Sequence, residues 1–274
     1  MFRQISRRWK QYRYRFVPWV ATNINESAPR IVPSVYEDKI VADAEVEKCL
    51  LSLLTAFHKS GKQHATLTAK HVEHTKLMLG ECGFSIKRRP SLLENGGRGV
   101  FVASGHVRPG SVVAVYPGMV YHPWEPVFWV SLANSFLFRC ADGVHIDGKD
   151  TGLSKMMYNS CSKRDSVHGK LMCDTTWLTE TPVNPLAVGQ YVNNQSNKYE
   201  ANVAYQEFDI SSDFPVELRQ YIPNTEARLH QDMEHTFYNR LLRVVVLVSL
   251  RDITVGEEIF STYYTIVQKD KSVS

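Results

Sequence analysis

The sequence predicts a mainly β protein with a small α-helical region near its start. Between about residues 37 and 82, apolar residues recur at steps of three and four, the period of an amphipathic helix. From Gly83 onward the chain changes to short, valine-rich runs bounded by glycine and proline, which are typical of strands joined by turns. One turn pattern occurs twice in this β region, so we expect a single framework closed by both of its ends.

The length and composition allow one sizeable core, or a core with a smaller appendage. The 274 residues are 43% hydrophobic, and no apolar run approaches the roughly 18 to 20 residues that span a bilayer. The cysteines are Cys49, Cys82, Cys140, Cys161 and Cys173. Their odd number and lack of C-x-x-C spacing argue against a structural zinc site and a secreted disulfide scaffold. We therefore expect an intracellular protein, with mitochondrion, cytoplasm and nucleus left open.

Residues 1 to 17 form a basic segment that differs from the rest of the chain. The cations are Arg3, Arg7, Arg8, Lys10, Arg13 and Arg15, and the apolar residues are Phe2, Ile5, Trp9, Tyr12 and Phe16. The cations contribute +6 to a net charge of +4, so the remainder sums to about −2 (4 − 6), an ordinary solvated surface. The apolar spacing predicts an amphipathic helix with three alternative uses: docking on the domain, mitochondrial or anionic-membrane targeting, and weak nucleic-acid binding.

Changes in composition divide the rest of the chain. Pro18 ends the basic helical pattern, and further prolines up to residue 35 indicate a linker. The expected segments are 1–36 (basic segment and linker), 37–82 (helical region), 83–268 (β domain, with insertions at about 119–188 and 211–239) and 269–274 (tail). The second insertion is polar, so we expect it to be the more exposed of the two.

Two helices are predicted in the helical region, from about residue 38 to 59 and from about 68 to 79. Each is followed by a glycine, a common helix stop. Four histidines fall here, His58, His64, His71 and His74. Because no acid or cysteine joins them at ligand spacing, we expect exposed helix residues and no metal site.

The repeated turn pattern lies near the two ends of the β domain. The first glycine turn, residues 105–113, contains Pro109-Gly110, and the second glycine turn, residues 251–259, contains Val255-Gly256. Each follows a valine-rich strand and leads to a strand that ends near a tyrosine. The run from Val244 to Leu250 is the strongest strand signal, suited to burial on both faces.

Three short motifs suggest chemistry. Gly97-Arg98-Gly99 lets backbone approach a ligand closely, or forms an ordinary strand-entry turn. In Tyr191-Val192-Asn193-Asn194, the Asn193 amide can donate and accept hydrogen bonds, or cap a turn. In the stretch from Gly256 to Tyr263, the Tyr263 phenol either orients a reacting group or fills the core.

In this order the motifs resemble those of the SET-domain protein methyltransferases, over roughly residues 83 to 267. The resemblance implies a β-clip SET fold of small curled sheets, whose C-terminal segment threads beneath a loop as a pseudoknot. It also implies the cofactor S-adenosyl-L-methionine, no metal, and a protein substrate that carries the methylated lysine.

The resemblance assigns roles residue by residue. Cofactor binding falls to Gly97, Arg98, Gly99, Asn193, Asn194 and Tyr263; the substrate channel to Tyr116, Tyr191 and Tyr264; and catalysis to Tyr263 and Tyr116. Aromatic walls attract cations, so such a channel can admit an ammonium group.

Two positions depart from the family pattern. Asn194 stands where the family usually has histidine, and Thr262 where an acid or amide commonly precedes the final tyrosine. An alternative function is therefore a catalytically weak SET-fold binding or scaffold module, and a nucleic-acid binder with a basic arm is a third.

Overall fold

A computed structural model of the chain describes residues 12–15, 30–34, 38–60, 66–167, 169–227 and 241–267. In chain order the strands are β1 (Tyr12–Arg15), β2 (Arg30–Val32), β3 (Phe84–Pro90), β4 (Arg98–Gly105), β5 (Val112–Tyr116), β6 (Gly118–Tyr121), β7 (Leu137–Arg139), β8 (His145–Asp147), β9 (Ser166–Val167), β10 (Lys170–Leu171), β11 (Asn193–Asn194), β12 (Val203–Ile210), β13 (Asn224–Glu226), β14 (Leu242–Ser249), β15 (Glu258–Ser261) and β16 (Thr265–Val267). The helices are α1 (Asp43–Ser60), α2 (Leu67–Cys82), α3 (Phe128–Ser131), α4 (Gly152–Arg164) and α5 (Val216–Arg219). Short 3-10 turns cover Thr176–Leu178 and Gly189–Tyr191. The mainly β class with a small helical region is therefore confirmed.

The strands form two seven-stranded sheets and one small hairpin. The first sheet has the order β3-β4-β15-β12-β14-β5, with β11 added beside β15. The second has the order β13-β6-β8-β7-β1-β16-β2, and β9 pairs only with β10. The first sheet gathers the segments that carry the sequence motifs.

The two predicted helices are present as α1 and α2. The buried face of α1 consists of Val46, Leu50, Leu53, Leu54 and Phe57. Helix α2 begins at the cap Thr66, whose side chain accepts from the Ala69 N–H, and ends at Gly83, whose φ of 79° is the left-handed conformation glycine favours. The end of α2 therefore leads directly into β3.

One histidine of α2 contradicts the expectation of exposure. His74 is 1% exposed, and its ring stacks on Phe57 with centroids 4.2 Å apart. Its Nδ1 lies 2.7 Å from the Val183 carbonyl oxygen. His71 Nδ1 makes the same contact with the Pro182 carbonyl at 2.7 Å. These histidines hold the segment that precedes β11.

The core centres on β14. Residues 244–248 are fully buried, between β12 on one side and β5 on the other, as the apolar run predicts. Burying a large apolar side chain contributes about 1.5–3 kcal/mol, so this strand is a principal source of stability.

The two glycine turns contact each other. Val107 and Ile253 exchange both backbone hydrogen bonds, at 3.1 and 3.0 Å. The strand after each turn pairs with the strand before the other: β5 with β14, and β15 with β4. The repeated pattern thus marks two related corners of the first sheet, whereas β4 and β5 do not pair with each other.

Three expectations about the chain's ends and insertions are wrong for the described residues. Residues 12–15 of the predicted basic helix are strand β1, paired with β7 and β16; residues 1–11, 16 and 17 lie outside the described residues. Within the supposed linker, Arg30–Val32 is strand β2, paired with β16. In the insertion predicted to be exposed, Phe214 and Ile222 are 1% exposed. Residues 228–239 of that insertion and the tail 269–274 lie outside the described residues.

A second, smaller cluster fills the predicted insertion 119–188. It joins Met119, Tyr121, Val130, Tyr158, Cys161, Cys173, Trp177, Leu178 and Ala187. In the same insertion, burial raises the pKa of the Asp174 carboxyl to about 6.

Among the described helices, none has the length and apolar character to cross a bilayer.

Candidate functional site

The site is built where β11 lies parallel to β15. Asn193 is opposite Phe260 and Asn194 is opposite Ser261. The Gln195 N–H donates to the Ser261 carbonyl at 2.8 Å, which extends the pairing. Two motifs about 65 residues apart in sequence are thereby held side by side.

Asn193 connects three segments. Its Nδ2 donates to the Arg98 carbonyl at 2.9 Å and to Glu258 Oε1 at 3.2 Å. The half-buried amide therefore fixes β11 against the start of β4 and against β15. The structure brings Arg98 and Asn193 together, as the motif order suggests.

Glu258 is a site residue that the sequence reasoning missed. Glu258 is 3% exposed, and its carboxylate also accepts from Ser91 Oγ and the Leu92 N–H, both at 2.7 Å. No cation is needed to explain its burial, because three donors satisfy it. The available signal was an acidic residue inside an otherwise apolar strand, since all four residues of β15 are buried.

The two motif glycines have different surroundings. A Cβ on Gly99 would lie 2.1 Å from Glu258 Oε1, so the absent side chain makes room for this carboxylate. Gly97 has a φ of 60° and open space where a Cβ would stand. The group that approaches Gly99 closely is thus the protein's own Glu258 carboxylate, and not a ligand. At Gly97 the backbone is open to a ligand.

Tyr263 lies beside the same strand. Its N–H donates to Asn194 Oδ1 at 2.9 Å, and its phenol donates to the Val192 carbonyl at 3.0 Å. Asn194 therefore uses its side chain to hold the backbone of Tyr263. Arg98, Asn193, Asn194 and Tyr263 form one group around β11.

A charged network borders this group. Arg98 bonds Glu180 at 2.6 Å, and this hydrogen bond lowers the pKa of the exposed Glu180 carboxyl. Arg88 lies 5.0 Å from the centre of the Tyr191 ring, whose phenol donates to Asp150 Oδ2 at 2.5 Å. Burial, and then the bond to Asp150, raise the pKa of Tyr191 to about 12, so this phenol stays protonated at neutral pH.

The other two predicted channel tyrosines lie in the core. Tyr116 is 0% exposed, packs on Phe138 and Tyr205, and donates its phenol proton to the Phe136 carbonyl at 2.8 Å. Tyr264 is 8% exposed. Their channel roles, and the catalytic role predicted for Tyr116, stay predictions.

Among the described residues, one group has the donor atoms of a metal site. A donor atom from each of Cys140, Asp142 and Glu207 lies within 4.8 Å of the others. Arg243 already contacts both carboxylates at 3.0 Å, and burial raises the pKa of the Cys140 thiol. A neutral thiol beside an existing cation is a poor metal ligand set.

The chain is similar to curated relatives over almost its full length. It is 44% identical to SET domain-containing protein 9 from Homo sapiens, covering 97% of this chain and 98% of the relative. It is 46% identical to SET domain-containing protein 9 from Pongo abelii, covering 87% and 81%. No family model matches the chain.

Solved structures are more distant. A chain of the Chaetomium thermophilum Polycomb Repressive Complex 2, in an autoinhibited conformation bound to S-adenosylmethionine, is 14% identical with a TM-score of 0.33. The match covers 68% of this chain and 16% of that one. CpSET8 from Cryptosporidium is 13% identical with a TM-score of 0.34, covering 81% and 94%. At these TM-scores the likeness carries no argument about function.

The mainly β framework and the group around β11 together fit the motif order of a SET domain. With 44% identity to a relative across nearly the whole chain, the protein belongs to the SET-domain family, in the group named SET domain-containing protein 9. The threading of a pseudoknot stays a prediction.

Proposed function

We propose that the protein is an S-adenosyl-L-methionine-dependent methyltransferase that methylates a lysine side chain of a protein substrate. The observation that supports this most is the gathering of Arg98, Asn193, Asn194 and Tyr263 around β11 in a SET-family chain. These residues come from three distant parts of the sequence, and strand pairing and side-chain hydrogen bonds join them.

The residues present fit the proposed cofactor, which supplies a methyl group on a positively charged sulfur together with an ammonium and a carboxylate. Gly97 offers backbone with open space beside it. The Asn193 Oδ1 supplies an acceptor, because both protons of its Nδ2 are donated within the protein, and the Arg98 guanidinium is half-exposed. We therefore assign cofactor binding to Gly97, Arg98, Asn193, Asn194 and Tyr263, with Gly99 making room for Glu258.

The chain's part in catalysis is to position the lysine amine and to remove water from around it. Only the neutral amine has a free electron pair for attack, and deprotonating a free lysine at pH 7 costs about 4.6 kcal/mol (roughly 3.4 pKa units at 1.36 kcal/mol each). A site lined by aromatic rings favours the neutral form because it excludes water. We assign orientation of the amine to the Tyr263 phenol, which is half-buried beside β11.

A catalytically weak SET-fold binding or scaffold module is the second candidate. It is favoured by Asn194, whose side chain is bonded to the Tyr263 backbone at the position where the family usually has histidine. The two candidates differ in cofactor use, which a direct binding measurement separates.

The test is calorimetry of the purified protein with S-adenosyl-L-methionine. We expect binding that weakens about tenfold or more in Asn193→Ala, because the amide orients the cofactor-facing backbone. Asn197→Ala is the matched control, since Asn197 is an exposed asparagine on the following loop. No binding by the wild-type protein, or equal binding by Asn193→Ala, would refute the cofactor assignment.

The substrate and the compartment are further proposals. Comparing protein-lysine methylation in cells with and without the protein tests the substrate class. For residues 1–17, of which 12–15 form strand β1, we propose weak contact with an anionic membrane or with nucleic acid, and its affinity should fall with salt. A fluorescent fusion of this segment tests a mitochondrial destination; diffuse fluorescence would argue against it.

A further inference from the structure

A short segment of the first insertion, residues 124–132, exposes large apolar side chains, and we call it the aromatic loop. Trp124, Phe128 and Trp129 are 66%, 63% and 71% exposed, and Leu132 is also exposed. The Phe128 and Trp129 rings contact each other edge to face, with centroids 5.3 Å apart. At this degree of exposure the rings project from the surface, and they do not line a groove. An exposed group of this kind commonly marks an interaction site.

The fold holds the aromatic loop in place by hydrogen bonds on its inner side. The Ser131 N–H donates to the Val127 carbonyl at 2.9 Å, and Ser131 Oγ donates to the Phe128 carbonyl at 2.7 Å. Asn134 Nδ2 donates to the Val130 carbonyl at 2.8 Å, and the Val130 side chain is buried. Since these bonds fix the backbone of α3 with Val130 inward, the outward position of its rings is part of the folded structure.

Helix α4 adds further apolar side chains beside the aromatic loop. Val130 of α3 and Tyr158 of α4 belong to the same buried cluster, so the two helices lie close together. Met156 precedes Tyr158 by two residues, about 200° around the helix axis, and therefore faces outward. Met156 and Leu153 are both exposed. The exposed apolar surface is thus larger than the aromatic loop alone.

The charge that accompanies this surface is mainly positive. Lys149 Nζ donates to the Ala133 carbonyl at 3.2 Å, which places an ammonium group directly after the aromatic loop. The other cations of residues 122–165 are Arg139, Lys155, Lys163 and Arg164. The acids of the same range are buried, as are Glu125, Asp147 and Asp165, or bonded, as are Asp142 to Arg243 and Asp150 to Tyr191. A negatively charged partner is therefore favoured.

We propose that the aromatic loop and α4 dock the protein on an anionic lipid membrane. Tryptophan side chains favour the interface between water and the bilayer, and lysines are attracted to anionic headgroups. Lysine is depleted from interfaces between proteins, so the lysines next to these rings favour lipid over a protein partner. This surface is distinct from residues 1–17, and its use is independent of methyl transfer.

The test is co-sedimentation of the full-length protein with vesicles of phosphatidylcholine, alone or with about 30% phosphatidylserine. We expect binding to the vesicles that contain phosphatidylserine, weakened about tenfold or more in the double variant Trp124→Ser and Trp129→Ser. Val255→Ser, which removes an exposed apolar side chain from the second glycine turn, is the control and should bind like the wild type. Far-ultraviolet circular dichroism checks that the variants fold.

A second pair of variants tests the charge. Lys155→Gln with Lys163→Gln should weaken binding to the anionic vesicles by about threefold or more. Lys48→Gln with Lys59→Gln, which removes the same charge from the exposed side of α1, should have little effect.

Four outcomes would overturn the proposal. The first is no binding of the wild type to either vesicle, and the second is equal binding to both compositions. The third is unchanged binding of the double tryptophan variant, which would assign the membrane contact to residues 1–17. The fourth is a dimer in light scattering that the double tryptophan variant abolishes, which would show that this surface joins two copies of the chain.

Discussion

The two glycine turns have similar backbone conformations, with a positive φ at Gly110 and at Gly256. They differ in the side chains of the strands that follow them. The first leads into β5, which is completely buried and ends at Tyr116 in the core. The second leads into β15, which presents Glu258 to β4 and β11 and is followed by the half-buried Tyr263. The position of Glu258 corresponds to Val112 in the first turn. At this one corresponding position, the first corner has a valine within a structural strand, and the second has a glutamate that helps to build the site.

The largest expected effect concerns the tyrosines that follow the two corners. Tyr263→Phe should lower methyl transfer on the order of 100-fold, because an orienting hydroxyl is lost at the reacting centre. Stability should change by less than about 1 kcal/mol, since the phenol is half-buried. Methylation of an identified substrate and urea unfolding measure the two effects.

The controls for this comparison are two other tyrosines. The Tyr199 ring stacks on Phe260, and Tyr199→Phe should leave the rate of methyl transfer unchanged. Tyr116→Phe should cost about 1 kcal/mol of stability, because the Phe136 carbonyl loses one of its two donors and keeps the Gly148 N–H at 3.0 Å. Full activity in Tyr263→Phe would remove the functional difference between the corners.

The adjacent acids of the second turn give the next largest effect. Glu258→Ala should lower the free energy of unfolding by about 3 kcal/mol, because Ser91, Leu92 and Asn193 lose their acceptor. Chemical denaturation measures the loss.

Glu257→Ala is the matched control. Its side chain is 35% exposed and bonds Arg251 and Thr254, so the cost should stay below about 1 kcal/mol. Glu258→Gln, which keeps an acceptor, should fall between the two alanine variants. Equal losses at 257 and 258 would contradict the role assigned to Glu258.

Alanine substitutions at the two turn glycines, Gly110 and Gly256, should differ in their stability cost by a smaller amount. Gly256→Ala should cost about 1 kcal/mol for its φ of 89°, with no contact near the new Cβ. Gly110→Ala should cost roughly 2 kcal/mol, because its φ is 79° and the new Cβ would stand 3.2 Å from Val41 Cγ1. Thermal unfolding gives both values, and adding Val41→Ala to Gly110→Ala should remove the contact component in a double-mutant cycle.

The smallest effect is expected where the turns meet at the surface. His106 Nε2 lies 2.7 Å from Asp252 Oδ1, and the side chains are 48% and 62% exposed. Asp252→Asn should therefore change stability by less than about 0.5 kcal/mol, and added salt should reduce even that. A loss above 1 kcal/mol in urea unfolding would show that this contact holds the corners together.

The sequence predicts those helices and strands that are determined by the spacing of apolar residues within the segment itself. Helices α1 and α2 and strand β14 follow from apolar spacing within each segment, and the repeated glycine pattern predicted two related corners. Strands β1 and β2 were mistaken for a helix and a linker because their stabilising partner, β16, lies far away in the sequence. Strands of three or four residues carry too little periodicity to reveal a pairing of this kind.

The candidate site was predicted in part by its motif order. The contacts among Arg98, Asn193, Asn194 and Tyr263 agree with that order, although their roles stay proposals. Glu258 was missed because its burial depends on donors from the 91–92 turn and from β11. The core position of Tyr116 could not be inferred either, since its partner Phe136 lies in the insertion.

The pairing of β2 with β16 has a consequence during synthesis on the ribosome. Residues 32 and 265 are separated by about 230 residues (265 − 32), which take roughly 10 to 50 s to translate at about 5–20 residues per second. Throughout that interval β2 has no parallel neighbour to occupy its hydrogen-bonding edge. A nascent chain stalled before residue 265 is therefore expected to be a target for chaperones that bind exposed strand edges.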